Sequence, residues 1–112
     1  MENNLSYLIH IIEATGKIER YLEGFSEKDF YQNEMRLDAV VRELEIIGEA
    51  ANNISEDYKK QHPEIPWRKM IGMRNRLMHE YFGINKKIVW DTCQIDLKEL
   101  KVLISPLIEK RA

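Results

Sequence analysis

The chain has 112 residues, 44% of them hydrophobic and 32% charged, which suits a single buried core and carries too much charge for a bilayer span. A formal net charge of −2 excludes a globally basic nucleic-acid binder, and the lone cysteine, Cys93, excludes an internal disulfide framework. Five glycines and three prolines are too few for a turn-rich β sandwich and favour long helices.

The small net charge conceals a division. Residues 1–57 carry −8 and residues 58–112 carry +6. A local basic groove, or an acidic face meeting a basic face in self-association, is compatible with that split. Met1-Glu2-Asn3-Asn4 lacks the basic start and apolar stretch of a secretory signal, so the expected location is the cytoplasm, with no membrane association. No repeat or linker-like tract interrupts the chain, and residues 1–112 read as one domain.

The first helix is predicted over residues 3–23. Leu5, Leu8, Ile11, Ile12, Thr15, Ile18 and Leu22 recur at three- and four-residue steps, and Gly24 stops the run. Ser26 offers an N-cap with Asp29 in the first turn, and the pattern resumes through Leu37, Val40, Val41, Leu44, Ile47, Gly48, Ala51 and Ile54 as one long second helix. Gly48 and Ala51 on that stripe would let a neighbouring helix come close. Ser55 caps a short helical turn over residues 56–61, which His62-Pro63 ends.

Pro66 suits the first turn of a third helix running to about Phe82, with Gly83 as terminator. Asn85 caps the fourth, whose buried line is Val89, Cys93, Leu97, Leu100, Ile104 and Leu107. Pro106 deprives the Val102 carbonyl of its donor, so a kink or early stop is expected there. No apolar run reads better at alternating than at helical period. The expected architecture is an all-α, antiparallel bundle of four main helices plus a short one.

One residue breaks the third helix's pattern. Its apolar stripe, Trp67, Met70, Ile71, Leu77, Met78 and Tyr81, has Arg74 where another apolar residue belongs. A guanidinium on a core-facing line is expensive unless paired, so either it snorkels or pairs with an acid of the second helix, such as Glu45 or Glu49, or it waits in a cleft for an anion. Arginine suits phosphate, because its planar fork stays charged and donates two parallel bonds. His79, five residues on, is the kind of side chain that both gives and takes a proton near neutrality. Together they match what cleaving an RNA phosphodiester without metal requires, since the 2′-hydroxyl is itself the nucleophile and the protein need only move protons and stabilise negative charge.

The run Arg74-Asn75-Arg76-Leu77-Met78-His79-Glu80-Tyr81 is arginine, four residues, histidine, one residue, tyrosine. It resembles the HEPN superfamily, and within it the HepT-like toxins paired with minimal nucleotidyltransferase antitoxins. Glu45-Ile46-Ile47-Gly48-Glu49-Ala50-Ala51, Pro66-Trp67 and Tyr81-Phe82-Gly83 are similar to the same branch. The resemblance implies a homodimeric, metal-independent endoribonuclease of a toxin–antitoxin system, with the motif residues of both subunits lining one interface cleft. Arg74 would hold the scissile phosphate, His79 would act as general acid or base, and Asn75 would help orient them. Tyr81 would receive AMP from the nucleotidyltransferase, which silences the toxin. Seven residues from Arg74, it falls on the same helix face; a core aromatic with a wet hydroxyl is the simpler alternative for it.

On an ideal helix Arg74 and His79 point about 140° apart. A distorted last turn, a bent arginine or completion across a dimer axis would each reconcile them. His10, His62, His79 and Cys93 share no metal-ligand spacing, so neither metal nor cofactor is assigned. Cys93 reads as a small core residue. A second functional class also fits: a non-catalytic helical module in which Arg74 and His79 bind a nucleotide or a nucleotidyltransferase partner.

Overall fold

The computed structural model describes residues 2–80 and 83–109. Among these residues seven α-helices follow one another: α1 (Glu2–Leu22), α2 (Glu27–Tyr31), α3 (Glu34–Asn53), α4 (Glu56–Gln61), α5 (Trp67–His79), α6 (Lys86–Asp91) and α7 (Leu97–Glu109), the last two joined by a π-helical turn over Thr92–Asp96. Among the described residues there is no strand, and no helix is long and apolar enough to cross a membrane. The all-α expectation holds.

Helix α3 is the central member. It packs against α1 on one side and α5 on the other, while α7 lies against α1. Side chains at both ends fix α1 and α3 antiparallel. Asn4, at the start of α1, exchanges two 3.1 Å hydrogen bonds with Ser55 just beyond α3, and Arg36, at the start of α3, donates to the Tyr21 carbonyl at 2.8 Å. The core between these helices holds Leu8, Ile11, Ile18, Val40, Ile47 and Ile104, with Phe30 fully buried against Trp90 at 5.5 Å between ring centroids.

Several caps stand where the sequence puts them. Gly24 takes a φ of +80°, a left-handed conformation that glycine adopts without a side-chain clash, and so closes α1. Ser26 and Asp29 form a reciprocal capping box at the start of α2. Ser55 Oγ and Asn85 Oδ1 accept from Tyr58 N and Ile88 N at 3.2 and 3.1 Å, opening α4 and α6.

The structure corrects the expected second helix, which is two helices. Asn33 adopts an extended conformation and its side-chain oxygen accepts from Arg36 N at 2.9 Å, so a new helix starts there in place of a continuous run. The split adds a short helix, α2, to the expected short helix α4. Pro66 sits at the N-cap, one residue ahead of the first turn. Helix α5 ends at His79, with Glu80 as its C-cap, so it stops short of the expected Phe82 and Gly83 is not its terminator.

Pro106 does not stop α7, which continues to Glu109. The carbonyl it releases belongs to Val102, which is exposed and so lies on the wet side of the helix. The π turn is a feature that the sequence pattern does not announce. From Val89 to Leu97 is eight residues, which an ideal α-helix would leave about 80° out of phase. The wider turn brings Val89, Cys93, Leu97, Leu100 and Ile104 back to one buried line.

Phe30→Ala should lower stability by about 3–5 kcal/mol, because it empties a sealed site between α2 and α6. Met35→Ala, at an 82% exposed position, should change it by less than about 0.5 kcal/mol. Urea midpoints of the two variants check the contrast.

Candidate functional site

Helix α5 carries the site because α3 lets it come close. A methyl group placed on Gly48 would collide with Cβ of Arg74 and lie 2.8 Å from the Met70 carbonyl oxygen. The bare backbone of α3 is thus the surface on which the aliphatic stem of Arg74 rests. Trp67, Met70 and Leu77 of α5 are buried as expected, whereas Met78 is half exposed and corrects its place on the core stripe. It lines a cleft beside Arg74 instead.

The guanidinium is held at two points. Nη1 donates to Glu49 Oε1 at 2.7 Å, the short distance of a charge-assisted bond, and Nε donates to Asn75 Oδ1 at 3.2 Å. Of the two acids that the sequence offered as partners, Glu49 is the one that binds. The pair is unequal, with the arginine side chain 17% exposed and the glutamate 60%. Because the carboxylate reaches water, the pair does not carry the penalty of a sealed ion pair.

His79 is anchored by the same asparagine. Its Nδ1 lies 2.7 Å from the Asn75 main-chain oxygen, and since a carbonyl only accepts, Nδ1 carries the proton of the neutral ring. That leaves Nε2 with a lone pair. Asn75 therefore touches both candidate residues, with its side chain on Arg74 and its backbone on His79. Among the described residues no hydrogen bond joins Arg74 to His79 directly, and α5 stays α-helical through His79, without a distorted last turn. Tyr81 lies outside the described residues.

Arg74 forms part of the wall of a cleft of about 390 Å³ between α1, α3 and α5, with Tyr7 and His10 opposite, Ile46 and Ala50 among the apolar lining, and Arg42, Glu45 and Glu49 supplying charge. His79 is not among its lining residues. Arg76 pairs with Glu80 at 3.2 Å. Among the described residues no three His, Cys, Asp or Glu side chains cluster as metal ligands. Cys93 is buried, and desolvation, followed by the charge of Asp96, pushes its thiol up to about 12, which leaves it a poor nucleophile.

Sequence reasoning gave Glu49 only a structural part and Gly48 only a packing one. The structure places both directly under Arg74. Their adjacency in the chain, next to a close-approach glycine, was the available signal.

The sequence profile of the HepT-like ribonucleases, "Ribonuclease HepT-like", matches residues 11–107. The chain belongs to the HepT-like ribonuclease family. It is 45% identical over 95 residues to "Probable ribonuclease HepT" of Thermococcus cleftensis, covering 85% of this chain and 86% of that one. It is 36% identical over 110 residues to "Putative RNase TTE0752" of Caldanaerobacter subterraneus subsp. tengcongensis, covering 98% of each. No solved structure matches the chain significantly.

Glycine-to-alanine changes test the contact under Arg74. A methyl group on Gly72 of α5 would meet nothing within 4 Å, so Gly72→Ala should stabilise the HepT-like fold by about 0.5–1 kcal/mol through helix propensity. Gly48→Ala should instead destabilise it by about 1–3 kcal/mol, since α5 must shift away. Opposite displacements of the thermal midpoint check both signs.

Proposed function

We propose that this chain is a metal-independent endoribonuclease, the toxin of a toxin–antitoxin pair, acting as a homodimer on RNA. The observation that carries this reading is the double anchorage on Asn75, which fixes a guanidinium for the phosphate and an imidazole with a free Nε2 for the proton.

The chemistry balances without a cofactor. His79 Nε2 takes the proton from a ribose 2′-hydroxyl, O2′ bonds to phosphorus, and Arg74 stabilises the charge that gathers on the phosphorane oxygens. The P–O5′ bond breaks, leaving a 2′,3′-cyclic phosphate, and O5′ leaves with a proton. One imidazole that has just accepted a proton serves poorly as a donor at a second atom several ångströms away. His79 of a partner subunit would fill that role, which is the chemical reason for a shared interface cleft.

Cleavage of single-stranded RNA by the pure protein should survive excess chelator and fall by about a hundredfold or more in both Arg74→Ala and His79→Ala. Loss of activity with chelator, or full activity in either variant, would refute the assignment. The Arg74–Glu49 pair favours a second reading, because it partly neutralises the arginine: a non-catalytic module that partners a nucleotidyltransferase. Intact RNA together with retained partner binding would select it.

Tyr81 is the proposed acceptor of AMP. Added two residues beyond His79, the adenylyl group would place a negative phosphate where RNA phosphate must approach. Incubation with the cognate nucleotidyltransferase and ATP should add one AMP per modified chain, as read by mass spectrometry. Tyr81→Phe should abolish the addition, and labelling that persists in it would disprove the site.

A further inference from the structure

Arg74 is seated by two consecutive residues of α3. Gly48 receives its stem and Glu49 takes its Nη1, while Asn75 occupies Nε. A guanidinium has five N–H donors, and these bonds use one on Nη1 and one on Nε, which leaves both hydrogens of Nη2 and one of Nη1 for an anion. Glu49 is thus placed where it aims the guanidinium and at the same time competes with any phosphate for it. Its side chain is mostly exposed, so it can swing away into water without being stranded as a buried charge.

We propose that Glu49 is a positioning residue for Arg74, holding the guanidinium in register for the phosphorane at the expense of affinity for RNA. This rests on the ribonuclease reading above and adds a positioning residue to it. An RNA phosphate reaching Arg74 must share the arginine with Glu49 or displace it. Weak ground-state binding combined with a pre-aimed donor favours the transition state over the bound substrate, and that difference is what raises turnover.

The test separates binding from cleavage. A 2′-O-methyl oligoribonucleotide has no 2′-hydroxyl nucleophile, so its dissociation constant reads Arg74's grip alone; kcat and KM come from the unmodified strand. Glu49→Gln removes the charge and keeps an acceptor oxygen, and Glu49→Ala removes both. Each should tighten binding of the probe by about fivefold at low salt, the equivalent of one exposed ion pair. Each should also steepen the dependence of log affinity on log salt by about 0.7 per released arginine. Turnover should fall in Glu49→Ala by about tenfold or more, and further than in Glu49→Gln, because only the alanine variant loses the aim. In an Arg74→Met background neither change should alter affinity, since the cycle then has nothing to couple.

Unchanged or weaker probe binding in both variants, or the same tightening in the Arg74→Met background, would overturn the role of Glu49. A purely structural role would lower the thermal midpoint without the opposed movement of affinity and turnover. The two readings fail separately. Tighter binding in the variants with no cleavage by the parent protein sinks the enzyme and leaves Glu49 only as a competitor for Arg74, whereas cleavage with unaltered affinity sinks the role of Glu49 alone.

Discussion

Where α3 crosses α5, the missing side chain of Gly48 lets one helix backbone lie against the aliphatic stem of an arginine on the other. Any larger residue would push α5 outward and carry Arg74 with it. The contact solves a physical problem: a cation on the apolar line of a helix must reach water or a partner without opening a void in the core. Here the stem is packed, and the head emerges at the wall of the α1–α3–α5 cleft, beside Glu49. The site is therefore a consequence of helix packing, since the same glycine that permits the close crossing fixes the height at which the guanidinium leaves the core.

The split between an acidic first half and a basic second half has its counterpart within the fold. Glu49 pairs with Arg74, Glu19 with Lys101 and Glu27 with Lys87, in each case an acid before residue 57 and a base after it. Exposed pairs of this kind add little stability, typically below about 1 kcal/mol each. Their effect is on specificity, because they favour the arrangement in which α5, α6 and α7 fold back against α1, α2 and α3. Arg74–Glu49 differs from the other two in having its cation packed into the bundle, so that its geometry is set by the core as well as by charge.

Much of this was legible in the sequence, because local chemistry decides it. Ser26, Ser55 and Asn85 cap helices through bonds to residues three positions away, and Gly24 needs only its own left-handed φ. Arg74 stood out because a charge interrupts an apolar period. What failed depends on longer range. Asn33 can lie on a helix or cap one, and the apolar period that runs on through it does not distinguish the two. The π turn answers to the phase of a buried line, which no single residue announces. Glu45 and Glu49 are one turn apart on the same helix, and choosing between them requires the angle at which α5 crosses α3. Met78 follows the apolar spacing, yet it is half exposed because α5 borders the cleft at its C-terminal end.

Arg74 and His79 leave α5 on different sides, as the helical period requires, and only Arg74 lines the cleft. Asn75 bridges them because it is adjacent to the arginine and one turn before the histidine: its side chain reaches back to Nε while its carbonyl meets Nδ1. An anchor of this kind fixes orientations but does not shorten the path between the two groups. Under the proposed assignment, anion binding and proton transfer would thus be divided between two faces of one helix, and a single chain would present half of each pairing to a given phosphate. Under the proposed two-subunit arrangement, a two-fold axis running beside α5 would turn that division to use, setting the arginine face of one copy against the histidine face of the other.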